Sequence, residues 1–534
     1  QYIFKYANAM KKTVLLLVSF LPVVLFAQIR LTFPADFTSA HVGQEVEIVN
    51  PLVVTNTYNV EKYGGIYLSS ERLRIPTDGQ APGKEMFTQA NKTNAANQLL
   101  LKAGIYSYID ADGSCRTGRQ VTNIVGTLTY ESGKYTITPT REPVFAGNER
   151  LADARQLITT SYNVKVAGFN VENYGQSDAT LPIKRTKVTA ALKAMDADIY
   201  ALAEIFGDAA LKDLCASLNN AMNTDRYKYI ANIASKTLMC SFIYDSEKVM
   251  PHKELKKNTF VPVSSTNQSA YLPERKVAQA FDHLETGERF IISLNHWKSK
   301  SGSTGGQEDK FDGQGTYNPR RVQEAEATIR FINELISYYE DPDVLIVGDL
   351  NAYTSEDPIS ILLDGGMVNL LARYAPQEYS YSYYTNGYSG VGYLDHALAT
   401  STMSSQVTFA TPFHINADEP AYLDTDTDMY KSSDHDPIIT AINLGMGTGI
   451  TPSEKEKNEV IIYGDSRQGY LTLQAGSDIS RVEIYSINGQ AVSSHTPGAP
   501  GRYMVLPVAD LPNGFYLLRV YNGTSVTTHK LILP

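Results

Sequence analysis

At 534 residues the chain exceeds what one hydrophobic core can organise, and length alone divides it into about three or four units. With 43% apolar and 19% charged residues, it is not a disordered, collagen-like or multi-span membrane chain. Its 47 Lys and Arg against 57 Asp and Glu leave a net charge of −10, so bulk charge does not attract a polyanion; an anionic substrate needs a local device, a metal or a few placed cations.

Lys11 and Lys12 precede an apolar run over residues 13–27. As a helix rising about 1.5 Å per residue, that run is too short for a ~30 Å hydrocarbon core. A basic start, an apolar stretch and Phe26-Ala27 before Gln28 read as an export signal, with residues 1–27 removed and no stable membrane insertion. Export places the three cysteines in an oxidising compartment. Cys215 and Cys240 either pair, closing a loop worth about 3 kcal/mol, or stay as buried thiols beside Cys115.

Residues 28–150 run as short alternating segments, such as 45–49 and 126–130, broken by Gly, Asn and Asp. They predict a small all-β barrel whose one candidate helix lies at 94–101. From about Ser161 the texture changes. Strands are expected at 165–169, 199–205, 277–281, 289–294 and 344–347, the last two mainly apolar runs as in buried central strands. Helical spacing recurs over 183–195, and Asn318 and Pro319 open a helix in which Val322, Ala325, Ile329, Ile332 and Ile336 share a face. This alternation predicts a layered α/β domain over 161–443. A Gly, Thr, Pro and Ser-rich linker at 444–458 leads to an all-β unit at 459–534, with a turn at Asn488-Gly489.

The chemistry sits at strand ends. The first strand of the middle domain ends in Asn170-Val171-Glu172-Asn173, and the second in Glu204. Later strands end in Asn295-His296-Trp297-Lys298 and Gly348-Asp349-Leu350-Asn351. Two more polar runs follow, Tyr393-Leu394-Asp395-His396 and Ser433-Asp434-His435-Asp436. One strand-end Asp is ordinary turn chemistry. Six endings mixing Asn, Glu, His and Asp are not.

In this order, the endings resemble the endonuclease/exonuclease/phosphatase superfamily of deoxyribonuclease I and the abasic-site endonucleases. "NHWKSKSG", "FDGQGTYNPRRVQEAEA" and "HINADEP" before "SSDHDP" are similar to secreted bacterial extracellular endonucleases, in which an OB-fold-like barrel precedes the nuclease domain. The resemblance implies a four-layer α+β sandwich flanked by an OB-like domain and a small β-sandwich. That sandwich, carrying "VEIYSINGQAV" and "LPNGFYLLRVYNG", resembles a type IX secretion sorting domain, so its implied partner is that machinery and its destination the medium or the cell surface of a Gram-negative bacterium.

Phosphodiester hydrolysis needs charge neutralised on phosphate oxygens, an oriented water and a proton donor. The resemblance implies Mg²⁺, with Mn²⁺ or Ca²⁺ as alternatives, held by Glu204 with Asn170 and Asp434, and Glu172 as a candidate second acidic ligand. It implies His435 as acid–base group oriented by Asp395, His296 facing it across the phosphate, and Asp349 and Asn351 orienting the water, whose proton goes to either His435 or Asp349. Arg321 and Lys298 are expected on phosphate, and Arg275 stands one residue out of register with the arginine of relatives. The implied substrate is DNA, with RNA as an alternative. A phospholipid or phosphomonoester hydrolase of the same fold and a non-catalytic nucleic-acid-binding protein are the competing readings.

Overall fold

The computed structural model describes residues 29–58, 60–260, 272–302, 309–445, 460–463, 470–486, 490–498, 501–512, 514–522 and 525–533. The expected export signal, nearly all of the linker and the Asn488-Gly489 turn lie outside them. In strand Val164–Tyr174, successive side chains enter opposite layers, as the two-residue period of a strand requires. Val164 and Val166 face one apolar cluster, and Ala167, Phe169 and Val171 face another. Both faces being apolar, the strand must lie inside a sandwich.

Two six-stranded sheets provide it. The first runs Tyr227–Tyr229, Leu238–Asp245, Ile199–Phe206, Val164–Tyr174, Ile438–Ile442, Val407–Pro412. The second runs Val249–Lys257, Lys276–His283, Arg289–Asn295, Val344–Asp349, Asp395–Ala399, Val368–Asn369. Between them, Val166, Ile199 and Phe242 meet Phe281, Ile292, Leu345 and Val347. Helices Leu181–Met195 and Gly207–Met222 cover the outer face of the first sheet through Val188, Leu192, Leu211 and Leu214. Helix Asn318–Tyr339 covers the second through Ala325, Ile329, Ile332 and Ile336, the face expected from their spacing. The result is a four-layer α/β sandwich.

This arrangement separates the two cysteines. Cys215 belongs to the helix-side layer and Cys240 to the layer between the sheets, and all three cysteines are free and buried. At the start of the long helix, Tyr317 rather than Asn318 is the capping position, and Asn318 Nδ2 donates instead to Asp357 Oδ2 at 3.3 Å.

Nine strands between Ile29 and Ala146 form one mixed sheet sharing a core of Val46, Leu52, Leu68, Leu99, Val121 and Ile137. Besides the single turn Val60–Tyr63, its helix is Lys84–Ala96, not 94–101, and Leu99–Leu101 is a strand. The sequence hid this helix because Asn91 is its one buried residue, so no apolar stripe marks it. At the other end, six strands from Val460 to Leu533 close over Leu473, Ile479, Val482, Leu506, Leu518 and Val520.

Where strands Arg289–Asn295 and Val344–Asp349 run side by side, Gly348 has φ +125°, and a Cβ there would lie 2.1 Å from Asn295 O. Only glycine lets the backbones approach so closely. Gly348→Ala should lower the unfolding free energy by about 2 kcal/mol or more. A urea midpoint equal to wild type would show that the two strands can separate at no cost.

Candidate active site

Parallel pairing of Asn170 with Ala203 puts Asn170 and Glu204 at one end of the first sheet. In the second sheet, Asp349 pairs with Asp395 and Asn295 leads into His296. The regular ladder breaks at these ends. Glu172, Asn173, Glu204 and Asn351 all have φ between 48° and 65°. Side chains there cost of order 1–3 kcal/mol each and persist only where surrounding bonds fix them. Such bonds are present: Asn173 N donates to Glu204 Oε2 at 3.0 Å, and Asn351 N to Asp349 Oδ1 at 2.9 Å.

Asn170 Nδ2 bridges Glu204 Oε1 at 3.1 Å and Asp349 Oδ2 at 3.2 Å. Asn351 Nδ2 donates to the same Asp349 oxygen at 3.0 Å and to Trp297 O at 3.2 Å. His296 Nε2 lies 3.5 Å from Glu204 Oε1 and 3.7 Å from Asp349 Oδ2. From the other side, His435 Nε2 reaches to 3.8 Å of Asp349 Oδ2, while its Nδ1 bonds Asp395 Oδ2 at 2.7 Å. Eight residues far apart in sequence thus meet in one cleft, with Asp434 at its rim, Oδ1 3.9 Å from His435 Nε2 and the carboxylate part-exposed.

Burial dominates the electrostatics. It raises the Glu204 carboxyl above its usual range and pushes Asp349 up to about 7. His296 falls well below an ordinary histidine, through burial and then the charges of Arg275 and His435. Burial opposes charge on His435 too, but Asp395, Asp434 and Asp349 outweigh it and hold the imidazole well above its ordinary value.

The donor set can hold a divalent cation. Glu204, His296 and Asp349 each offer a ligand atom within 4.8 Å of the other two. Among the described residues, the ion pairs of Glu204 and Asp349 are to imidazoles and to no Lys or Arg, so two buried carboxylates converge without full counter-charge. The expected ligands differ from this trio. Asn170 turns its Nδ2 to the carboxylates while Oδ1 accepts from Glu172 N at 3.0 Å, so ligation by Oδ1 would require the amide reversed. Glu172 points away to Lys184 Nζ at 2.7 Å.

The expectation for Arg321 is corrected. The residue is fully buried, and its guanidinium donates to Gln314 O at 2.6 Å, Thr316 O at 2.8 Å and Lys298 O at 3.2 Å. Three of its five N–H groups go to carbonyls that hold the loop before the helix, and with the side chain fully buried no face of it is open to a phosphate. Lys298 sits with Nζ 4.3 Å from the Tyr317 ring, lining a cavity of about 250 Å³ with Arg275, Arg320 and His296.

Sequence reasoning missed several supports. Tyr381 lies against His435, ring centroids 4.6 Å apart. Ser380 Oγ accepts from Asp395 N at 3.0 Å, and Ser433 Oγ donates to Asn170 O at 2.7 Å. The segment "HINADEP" proves to be a clasp between the first unit and the sandwich. Asp418 accepts from Arg72, from Thr117 Oγ1 at 2.8 Å and from Asn148 Nδ2 at 2.8 Å, and Glu419 binds Arg116 and, at 2.7 Å, Arg150. Burial works against the Asp418 charge, yet Arg72, His414 and Arg116 keep its carboxyl below the ordinary range. Beside it, Asp436 accepts the backbone N–H of Ile415, Asn416 and Ala417.

Residues 161–435, just over half of the chain, match the Endonuclease/Exonuclease/phosphatase family, and the chain belongs to it. Residues 462–534 match a secretion system C-terminal sorting domain, which marks an exported protein, secreted or held at the cell surface. Residues 32–149 match a domain family of unknown function. No curated protein matches the chain. Among solved structures, a mannosyl-6-phosphatase from Bacteroides thetaiotaomicron shares 17% identity at a TM-score of 0.38, over 52% of this chain and 99% of its own. An endonuclease/exonuclease/phosphatase from Bacteroides vulgatus shares 16% at 0.37, over 52% and 98%. TDP2 of D. rerio, complexed with a single-strand DNA product, shares 15% at 0.36, over 52% and 98%.

His414 gives a pH prediction. Its Nδ1 bonds Asp436 Oδ2 at 2.7 Å and its Nε2 bonds Glu378 Oε2 at 2.9 Å. Burial disfavours its charge, but the two carboxylates prevail and push its pKa up to about 10. With the folded value above the unfolded one of about 6.5, the stabilisation is complete below pH ~6.5 and disappears as pH climbs through ~10. The stability advantage of wild type over His414→Gln should shrink across that window, measured by urea unfolding; a constant difference would mean that His414 carries no charge.

Proposed function

We propose that this chain is a secreted, divalent-metal-dependent endonuclease that hydrolyses phosphodiester bonds of extracellular DNA, with RNA as an alternative substrate. One observation carries the reading. Two imidazoles of opposite protonation preference present their Nε2 atoms to the same oxygen, Asp349 Oδ2, at 3.7 and 3.8 Å. Acid and base roles are separated in this way when environment drives like groups apart.

Glu204, with His296 and Asp349 beside it and Asn170 and Asp434 around it, would hold Mg²⁺, whose contribution is to neutralise charge on the phosphate oxygens. Mn²⁺ and Ca²⁺ suit the same oxygen-rich set. His435, kept charged by Asp395, faces the phosphate as proton donor and charge partner. Asp349, bonded by Asn351 Nδ2, orients the attacking water and is the candidate to accept its proton. His296, neutral, donates or accepts a hydrogen bond without adding charge. Lys298 and Arg275 supply the local positive field that a chain of net charge −10 otherwise lacks.

Plasmid incubated with the purified protein and Mg²⁺ should be nicked and linearised, and a chelator should abolish the reaction. His435→Ala and His296→Ala should each lose at least ~10² in rate. Plasmid left intact with Mg²⁺, Mn²⁺ and Ca²⁺ alike would remove the nuclease reading, and wild-type rates in both variants would remove the two histidines from it.

A further inference from the structure

The acid cluster is one end of a larger pocket of about 420 Å³. Its lining comes partly from a different unit of the protein: Ile75, Pro76 and Phe87 of the N-terminal region line it together with Tyr381, Tyr383 and Thr385, and Ile75 packs in one cluster with Tyr381. The N-terminal part is built in, not merely adjacent. Ile75 N donates to Val391 O at 3.0 Å, Ser355 N to Thr77 O at 2.9 Å, and Tyr393 N to Asp78 Oδ1 at 3.0 Å. Thr77 Oγ1 reaches Glu356 Oε1 at 2.9 Å, and Gly83 N, at the head of the helix carrying Phe87, donates to Asp312 O at 2.9 Å.

Tyr381, Tyr383 and Thr385 belong to a hairpin, Tyr381–Thr385 with Tyr388–Gly392. Residues two apart on a strand share a face, which is why Tyr381, Tyr383 and Thr385 all line the pocket. Tyr381 and Tyr383 lie 21° from parallel with centroids 6.4 Å apart, and they lead outward from the His435 ring. Tyr383 is 52% exposed, an aromatic face offered to solvent at the mouth of a catalytic pocket. Lys300, which lines the same pocket, is already bonded to both oxygens of Glu356 and to Gln314 O. The wall away from the acid cluster therefore offers flat apolar faces and a committed cation, which suits an uncharged ring better than a second phosphate.

We propose that this pocket is a nucleobase subsite: Tyr381 and Tyr383, with Phe87 and Pro76 in the same lining, take an unpaired base adjacent to the scissile phosphate. The inference rests on the nuclease reading and adds to it a preference for single-stranded over duplex nucleic acid. A pocket of this size encloses one small organic group. A base still in a duplex would have to leave its stack to enter, at a cost of a few kcal/mol, whereas a single strand enters freely. Stacking on aromatic side chains accepts every base, so little sequence preference is expected.

The test compares three substrates of equal length with Mg²⁺: a single-stranded oligonucleotide, its duplex, and a strand with abasic residues on both sides of one central phosphate, scored at that phosphate. Wild type should cleave the base-bearing strand about tenfold or more faster in kcat/KM than the duplex or the abasic phosphate, as one stacked base accounts for about a factor of ten. In Tyr383→Ala and in Phe87→Ala, the base-bearing to abasic ratio should fall about tenfold, while Tyr383→Phe, which keeps the ring, restores it. Because the readout is a ratio within one protein, partial loss of folded enzyme leaves it unchanged. Duplex cleaved as fast as single strand, or an unaltered ratio in both alanine variants, overturns the subsite and leaves the nuclease reading standing. Cleavage of none of the three overturns both.

Discussion

Burying Glu204, Asp349 and Asp395 together at the ends of two sheets is the constraint from which the rest of the site follows. Each carboxylate loses water there, and each repels its neighbours, so the fold must supply donors at fixed positions. Asn170 and Asn351 spend their amides on Asp349, Asn173 gives its backbone N–H to Glu204, and Asp395 takes His435 as its partner. What these donors leave uncompensated is the capacity to bind a cation. The same desolvation that lifts Asp349 drives His296 the other way, because an imidazolium beside Arg275 and His435 would be a third buried cation. His435, under the same burial, is held charged by Asp395, Asp434 and Asp349, so the two histidines diverge because carboxylates surround one and cations face the other.

A second set of buried charges does structural work at the seam between the N-terminal unit and the sandwich. Asp418 and Glu419 bind Arg72, Arg116 and Arg150, while Asp436, next in sequence to His435, gathers three backbone N–H groups and His414. Removing one member of such a network leaves a buried charge unpaired, which costs several kcal/mol, so the network behaves as a unit. Its position matters more than its strength. The loop that carries Asp434 and His435 is anchored by Asn416, which donates to His435 O at 2.6 Å and accepts from Ser432 N at 2.8 Å. The N-terminal unit is therefore tied to the segment that presents His435, and it lines part of the pocket.

The strand ends of the site were legible because buried central strands read as apolar runs, and a polar cluster directly after each run has few structural excuses. Residues 165–169, 199–205, 289–294 and 344–347 all became strands, and the residues after them met. What failed was of two kinds. Helix Lys84–Ala96 has a polar exterior on nearly every side, so periodicity gave no signal. Arg321 sits in a segment that resembles relatives, yet resemblance does not distinguish a guanidinium that touches substrate from one that braces a loop; only its three carbonyl partners do. "HINADEP" was visible as a motif, but its partners Arg72, Arg116 and Arg150 lie some 270 to 350 residues earlier, beyond any local pattern. Tyr381 and Tyr383 alternate as they would on any edge strand, and nothing in the sequence ties them to His435.

The three thiols have a consequence for life outside the cell. Cys115 and Cys215 are pushed up to about 12 and about 11, and Cys240 is raised too, in each case chiefly by burial. Reaction with peroxide or with another disulfide runs through the thiolate, which here is both rare and shielded. Cys215 and Cys240 lie in different layers of the sandwich, so neither can reach the other while the sheets stay packed. An enzyme built this way holds its shape by packing and charge alone, and swings in ambient oxidant or reductant pass it by.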